Sequence, residues 1–198
     1  MREDLDIMVF EVPSQAYQRA IASLESGGII AYPTEAVYGI GCDPFNSEAC
    51  HKILTLKQRS QSKGVILIAS DWEQIEPLVA CIDTQRLKEI QKTWPGPYTW
   101  IFPRTQLVPD WISGEHDTIA VRVTAHPIVS RLCKQYGKPI VSTSANIGGQ
   151  MPAKDNLEVF RIFGEAIDYI LPGRVGDLQK PTEIRNAINN QILRPGAD

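Results

Sequence analysis

Apolar residues in this chain come in short runs, and the runs alternate with amphipathic stretches from one end to the other. A run such as residues 65–69 has the length of a buried strand, far short of the roughly 18–20 apolar residues that cross a membrane. Strand-length runs separated by helical stretches build a sheet covered by helices. The pattern therefore predicts an α/β domain, α+β-like in its mixture, with a mixed sheet rather than a pure βαβ repeat. No repeat, low-complexity block or linker divides the chain, so a single domain is expected.

Composition agrees with that class. The 198 residues are 43% hydrophobic and 22% charged, which excludes disorder, collagen-like repeats and a disulfide-stapled miniprotein. A chain of this length buries roughly 70% of the surface it would expose unfolded. Its 20 Lys+Arg against 23 Asp+Glu leave a formal charge of −3. A polyanion site must then be a local concentration of Lys and Arg. The start, Met1-Arg2-Glu3-Asp4-Leu5-Asp6, lacks the basic head and apolar middle of a signal peptide, so a cytoplasmic place is expected. Cys42, Cys50, Cys81 and Cys133 form no C-x-x-C pair, and His51, His116 and His126 do not stand at metal-ligand spacing. Reduced, mostly buried thiols and no protein-held metal follow, and each histidine is expected in a structural place rather than as a catalytic base.

Along the chain, Ser14 is placed to cap a helix with Tyr17, Ala20, Ile21 and Leu24 on its apolar face, and Ser47 to cap a second with Cys50, Ile53 and Leu54. Strands are expected at 29–32, 65–69, 98–102, 118–123 and 139–143, with an extended stretch at 166–171. A helical region opens at Asp71 and is broken near Pro77, and further helices are expected at 84–92, from Pro127 to Tyr136-Gly137, and at 158–163. Residues 182–188 and 191–193 form a hairpin around Asn189-Asn190, because Asn tolerates φ > 0.

The familiar cofactor motifs are missing. Gly137-Lys138 lacks the upstream glycine of a Walker-type loop, and Gly39-Ile40-Gly41 meets Pro44 where a dinucleotide fingerprint needs its third glycine. Three other segments carry candidate chemistry. Pro33-Thr34-Glu35-Ala36-Val37-Tyr38-Gly39-Ile40-Gly41 reads as a polar, turn-rich loop directly after a buried strand, a common place for ligands. Lys57-Gln58-Arg59-Ser60-Gln61-Ser62-Lys63-Gly64 holds three cations and no acid, suited to a polyphosphate. Ser142-Thr143-Ser144-Ala145-Asn146 sets four hydrogen-bonding side chains at the end of an apolar strand, before Gly148-Gly149. Each also has a plain reading, as a surface turn, a solvated helix end or a self-satisfied turn.

These segments, with Leu56-Lys57-Gln58-Arg59, Trp94-Pro95-Gly96-Pro97-Tyr98-Thr99 and Ala120-Val121-Arg122-Val123, occur in the order seen in the YrdC-like family, which this chain resembles from about residue 10 to 196. The resemblance implies a large twisted sheet with a concave, positively charged cleft. It implies a reaction of L-threonine, bicarbonate or CO2 and ATP, giving an adenylate and pyrophosphate, with Mg²⁺ carried by the nucleotide. It carries the family's catalytic Lys–Arg–Ser–Asn set onto Lys57, Arg59, Ser144 and Asn146. It places Thr34, Lys63, Thr99, Arg122, Ser142 and Arg194 around the substrates. Ser60 stands where the family usually has proline, and Gly148 where it usually has serine. The resemblance further implies that the adenylate feeds modification of adenosine 37 in tRNA, by other proteins; weak tRNA contact by this chain beside catalysis stays open.

Two other classes stay open from the sequence. One is a structured-RNA or tRNA-binding module without turnover, in which the 57–63 cluster meets backbone phosphates. The other is a protein that hydrolyses or carries a small carbamoyl or phosphate compound on the same scaffold.

Overall fold

Each expected strand has a counterpart in the computed structural model, which describes residues 12–196. The expected domain start at residue 10 and the reading of residues 1–6 lie outside the described residues. The strands are β1 (Ile30–Pro33), β2 (Tyr38–Gly41), β3 (Ile66–Ala69), β4 (Tyr98–Pro103), β5 (Thr118–Val123), β6 (Ile140–Ser144), β7 (Tyr169–Ile170), β8 (Glu183–Asn186) and β9 (Ile192–Arg194). They form one sheet in the order β7-β1-β2-β6-β3-β5-β4-β8-β9. β1–β7, β3–β5 and β4–β8 pair in parallel and the other neighbours antiparallel, so the sheet is mixed.

One strand corrects the sequence reading. Residues 33–41 are not a loop throughout: Tyr38–Gly41 is β2, paired antiparallel with β1. Its glycines hid it, because Tyr38 and Ile40 are buried on one face while Gly39 and Gly41 present no side chain on the other. A Cβ at Gly41 would stand 1.9 Å from the Val141 carbonyl oxygen, so the close approach of β2 to β6 requires glycine there.

The six α-helices of the described residues are α1 (Ser14–Glu25), α2 (Ser47–Leu56), α3 (Thr84–Gln91), α4 (Asp110–Ser113), α5 (Pro127–Tyr136) and α6 (Asn156–Phe163). Both serine caps shift by one residue. Pro13 stands at the N-cap of α1 with no side-chain bond, and the side chain of Asn46 caps α2 by accepting from the Ala49 N–H at 3.0 Å. The region from Asp71 is a series of turns with a 3-10 turn at Glu76–Leu78, because Pro77 withholds a backbone donor. Proline opens α5, and Gly137 closes it in the left-handed conformation at φ 78°. The hairpin between β8 and β9 turns on Asn190 at φ 62°.

The two faces of the sheet differ, and the difference makes the site. One face sends Leu67, Val121, Trp100, Phe102, Val141, Ala31 and Ile40 into a core that also takes buried residues from α2, α3, α4 and α6. The other face sends Ile30, Tyr32, Ile68 and Ile140 under α1 and α5, which pack side by side through Tyr17, Leu24, Val129 and Leu132. Each fully buried Ile or Leu there contributes about 1.5–3 kcal/mol relative to exposure. These two helices cover only part of that face, and its remainder is open.

Candidate active site

The open part of the sheet is a cleft of about 650 Å³. Its floor follows from strand register. Ser142 pairs with Ile66, Ile66 with Ala120, Ala120 with Ile101, and Ile101 with Asn186, so one row of side chains crosses β6, β3, β5, β4 and β8. All five line the cleft. The period of two that buries Leu67 and Val121 on the far face delivers these residues, and Thr99, Arg122 and Ile184, to the near one.

Nine of the ten expected residues line this cleft: Thr34, Arg59, Lys63, Thr99, Arg122, Ser142, Ser144, Asn146 and Arg194. Segments 160 positions apart meet there because β1 and β9 lie on opposite sides of the same face. The cleft takes four cations, Arg59, Lys63, Arg122 and Arg194, and no carboxylate among its described lining residues. Burial first, then Arg122 and Arg59, holds the pKa of Arg194 below the ordinary arginine range, as three guanidinium groups directed at one space require.

Lys57 is the tenth, and it stands behind the wall. It caps the C-terminal end of α2 and is buried. Its ammonium donates to the carbonyl of Ser144, to the carbonyl of Asn146 at 2.9 Å and to Asn146 Oδ1 at 3.1 Å. Asn146 is equally committed: Oδ1 also accepts from Ser144 Oγ at 2.6 Å, and Nδ2 donates to the carbonyls of Ile147 and Gln150 at 3.0 and 2.8 Å. Gly148 closes the arrangement by donating its N–H to the Lys57 carbonyl at 3.1 Å. The 144–150 loop is thus tied to α2 by one buried ammonium. Burial, and secondarily Arg59, brings the Lys57 pKa down to about 8.

The exposed cations lie on the cleft side of this tie. Arg59 spends one bond, Nη2 to the Gly64 carbonyl at 3.0 Å, which aligns it along the cleft. At Ser60, where proline is usual in the family, the side chain accepts from the Ser62 N–H and starts a 3-10 turn, Gln61–Lys63, that carries Lys63 to the cleft.

At the other end of the floor, Thr34 Oγ1 donates to the Val37 carbonyl at 2.7 Å and closes the turn between β1 and β2. Arg122 is buried, with Nη2 3.2 Å from Glu35 Oε2 and Nη1 donating to Thr182 Oγ1 at 3.1 Å. Thr182 was not foreseen as a site residue. Its hydroxyl stands 3.5 Å from Thr99 Oγ1 and its carbonyl accepts from Arg194 Nε and Nη2 at 3.0 and 2.7 Å. A lone threonine before a short strand gives no local signal of such a hub.

The histidines lie apart from the reacting space, except that His116 lines its rim. His51 caps its own helix turn on the Ser47 carbonyl, and His126 is buried with Nε2 3.1 Å from the Arg174 carbonyl. All four cysteines are unpaired, Cys81 exposed and the others buried. Among the described residues no three His, Cys, Asp or Glu side chains gather as metal ligands, and no helix is long and apolar enough to cross a membrane.

A family model for the Sua5/YciO/YrdC domain, described as telomere recombination, matches residues 22–196. The chain belongs to this family. Within the Sua5/YciO/YrdC family it is 51% identical over 181 residues to a threonylcarbamoyl-AMP synthase of Coxiella burnetii, covering 91% of this chain and 97% of that one. The crystal structure of P. abyssi Sua5 complexed with L-threonine superposes with a TM-score of 0.84 at 30% identity, covering 91% of this chain. This chain spans about half the length of that protein, 54%. E. coli YciO superposes with a TM-score of 0.81 at 27% identity, covering 93% of this chain and 90% of that one.

Proposed function

We propose that this chain is a threonylcarbamoyl-AMP synthase, condensing L-threonine, bicarbonate or CO2 and ATP with release of pyrophosphate. The observation that carries this reading is the four-cation, carboxylate-free lining of one sheet face, in a chain half identical along nine-tenths of its length to proteins of that name.

The chemistry asks for such a surface. The unprotonated amine of threonine forms a nitrogen–carbon bond to CO2, or to bicarbonate with loss of water, and gives up a proton to become a carbamate. A carbamate oxygen then attacks the α-phosphorus of ATP. The bond to the bridging oxygen breaks, and pyrophosphate leaves with the electron pair. Two anions must meet, so charge neutralisation and positioning supply most of the catalysis.

In this reading Arg59, Lys63 and Arg194 offset phosphate charge, and the Ser144 hydroxyl meets a phosphate oxygen. Lys57 and Asn146 hold the Ser144 loop in place, and the buried ammonium adds its field from behind. Thr34, Thr99, Ser142 and Arg122 receive the amino acid at the other end of the floor. With no carboxylate in the described lining, a divalent cation enters as the magnesium–ATP substrate, held by phosphate oxygens. The adenylate then serves the modification of adenosine 37 of tRNA by partner proteins in the cytoplasm, with weak tRNA contact by this chain.

Pyrophosphate release is the test. Release that requires both threonine and bicarbonate is expected. Release indifferent to threonine would sink the assignment, and steeply salt-dependent RNA affinity without release would replace it with a binding module.

A further inference from the structure

Arg122 lines the cleft with a partner that does not. Glu35 lies under the cleft wall at 8% exposure, and its two oxygens divide their work. Oε1 accepts from the Thr124 hydroxyl at 2.6 Å, and Oε2 stands 3.2 Å from Arg122 Nη2 without a hydrogen bond of its own. Arg122 is 6% exposed, its Nε has no partner, and its remaining fixed contact is Thr182 Oγ1. The backbone of Glu35 is also pinned, because its carbonyl accepts from the Leu178 N–H at 3.1 Å and the preceding Thr34 carbonyl accepts from Gly176 at 2.9 Å.

Burial of a carboxylate is costly unless something repays it. Burial pushes the Glu35 carboxyl up, but Arg122 and the Thr124 hydroxyl outweigh it and hold the group below its ordinary value, so it is ionised at neutral pH. The consequence for the cleft is unequal charge along its length. Arg59, Lys63 and Arg194 have no carboxylate against them among the described residues, whereas the charge of Arg122 is offset from behind.

We propose that Glu35 is a positioning residue for the amino-acid end of the cleft: it fixes the Arg122 guanidinium and cancels its net charge, so that this end takes a singly charged carboxylate and leaves polyphosphate to Arg59, Lys63 and Arg194. This rests on the reading above, in which Arg122 receives threonine. Two substrates, one a polyanion and one a zwitterion, share a continuous floor, and four equivalent cations would let triphosphate bind at either end. A neutral Arg–Glu pair still presents N–H donors to a carboxylate but repels no ammonium group and attracts polyphosphate little.

The test is equilibrium binding by calorimetry of L-threonine and of inorganic pyrophosphate, each alone, to the full chain and to Glu35→Gln. The variant keeps the size and an acceptor for Thr124 but removes the charge. Threonine affinity should fall at least about tenfold, while pyrophosphate tightens by about threefold as an unpaired guanidinium joins the cationic end. A role confined to holding the fold would weaken both ligands together, and that result, or no change in either, overturns the proposal. Glu35→Asp, which keeps the charge, should return pyrophosphate to the wild-type value. Should Glu35→Gln fail to fold, Thr124→Val removes the orienting hydrogen bond, together with the one its hydroxyl accepts from the His126 N–H, and leaves the Glu35 charge in place. It should cost threonine severalfold and leave pyrophosphate unchanged, with equal losses again overturning the idea. Failure of the underlying reading looks different: the unaltered chain would then bind pyrophosphate and not threonine.

Discussion

The Lys57 ammonium holds Asn146, 89 positions further along the chain, by both its backbone carbonyl at 2.9 Å and its side-chain oxygen at 3.1 Å. Of the four residues that a sequence motif presents as equals, Arg59, Ser144 and Asn146 therefore line the cleft, and Lys57 stands behind its wall. Removing the ammonium takes the donor from the Asn146 carbonyl, leaves the Ser144 carbonyl only the Asn146 N–H at 2.9 Å, and loosens the loop that carries Ser144. Lys57→Met should thus lower both stability, by about 1–3 kcal/mol, and turnover, by about 10²-fold. Arg59→Ala should lower turnover by a similar factor with the melting temperature nearly unchanged, since its one internal bond is to the Gly64 carbonyl. Pyrophosphate release and thermal melting on both variants check this. Equal stability losses would remove the distinction between buried tie and exposed cation.

The same burial sets a pH dependence. With the Lys57 pKa brought down to about 8, the group is a cation at neutral pH and neutral above that value. ATP binding should weaken as pH rises through 8, because the positive field behind the Ser144 loop is lost. Folding moves the other way. The unfolded lysine keeps its proton to about 10.4, so between about 8 and 10.4 the unfolded state binds more protons and the Lys57 contribution to stability rises with pH. ATP affinity by calorimetry from pH 7 to 9.5 measures the first, and Lys57→Arg should flatten it. A wild-type affinity that is level across that range would contradict the assignment.

What the sequence could reveal of this site divides along physical lines. Alternating and continuous apolar runs exposed β3, β4 and β5, and proline and glycine bracketed α5, because those signals are local. β2 escaped because Gly39 and Gly41 erase one half of its alternation. The cluster from Lys57 to Lys63 reads as one charged run, yet the end of α2 and the turn at Ser60 send Lys57 inward and Lys63 to the cleft. Glu35 stood inside the first candidate segment with no part of its own, and Thr182 in none, since both meet Arg122, 87 and 60 positions away, only in the folded chain.

Gly41 offers a test of how the cleft wall is built. Its Cα faces the Val141 carbonyl so closely that an added Cβ would sit 1.9 Å from that oxygen and 2.9 Å from the Tyr32 hydroxyl. Neither neighbour can yield, as the Tyr32 hydroxyl is itself donated to the Val141 carbonyl at 2.9 Å. Gly41→Ala should cost about 3 kcal/mol or more by forcing β2 from β6, whereas Gly137→Ala meets open space and pays only for φ 78°. Urea denaturation of both variants ranks them, and a Gly137→Ala loss as large as that of Gly41→Ala would contradict the geometry.

Asp43 lies two residues beyond the end of β2 at Gly41, and it ties that strand to α5. Its Oδ2 accepts from the Tyr136 hydroxyl at 2.6 Å and from Lys138 Nζ at 3.1 Å, and its Oδ1 accepts from the Phe45 N–H at 2.8 Å. Burial raises the carboxyl pKa, but the Tyr136 and Phe45 bonds and the Lys138 charge more than reverse it, so the folded value lies below the ordinary one. A carboxylate depressed on folding adds stability that is complete above its unfolded pKa, about 3.9, and is lost as pH falls through the folded value. Asp43→Asn should therefore melt below the wild type at pH 7 by several degrees, and the gap should narrow as pH drops below 4. A difference that stays constant from pH 7 to 3 would show that the charge of Asp43 contributes nothing to the fold.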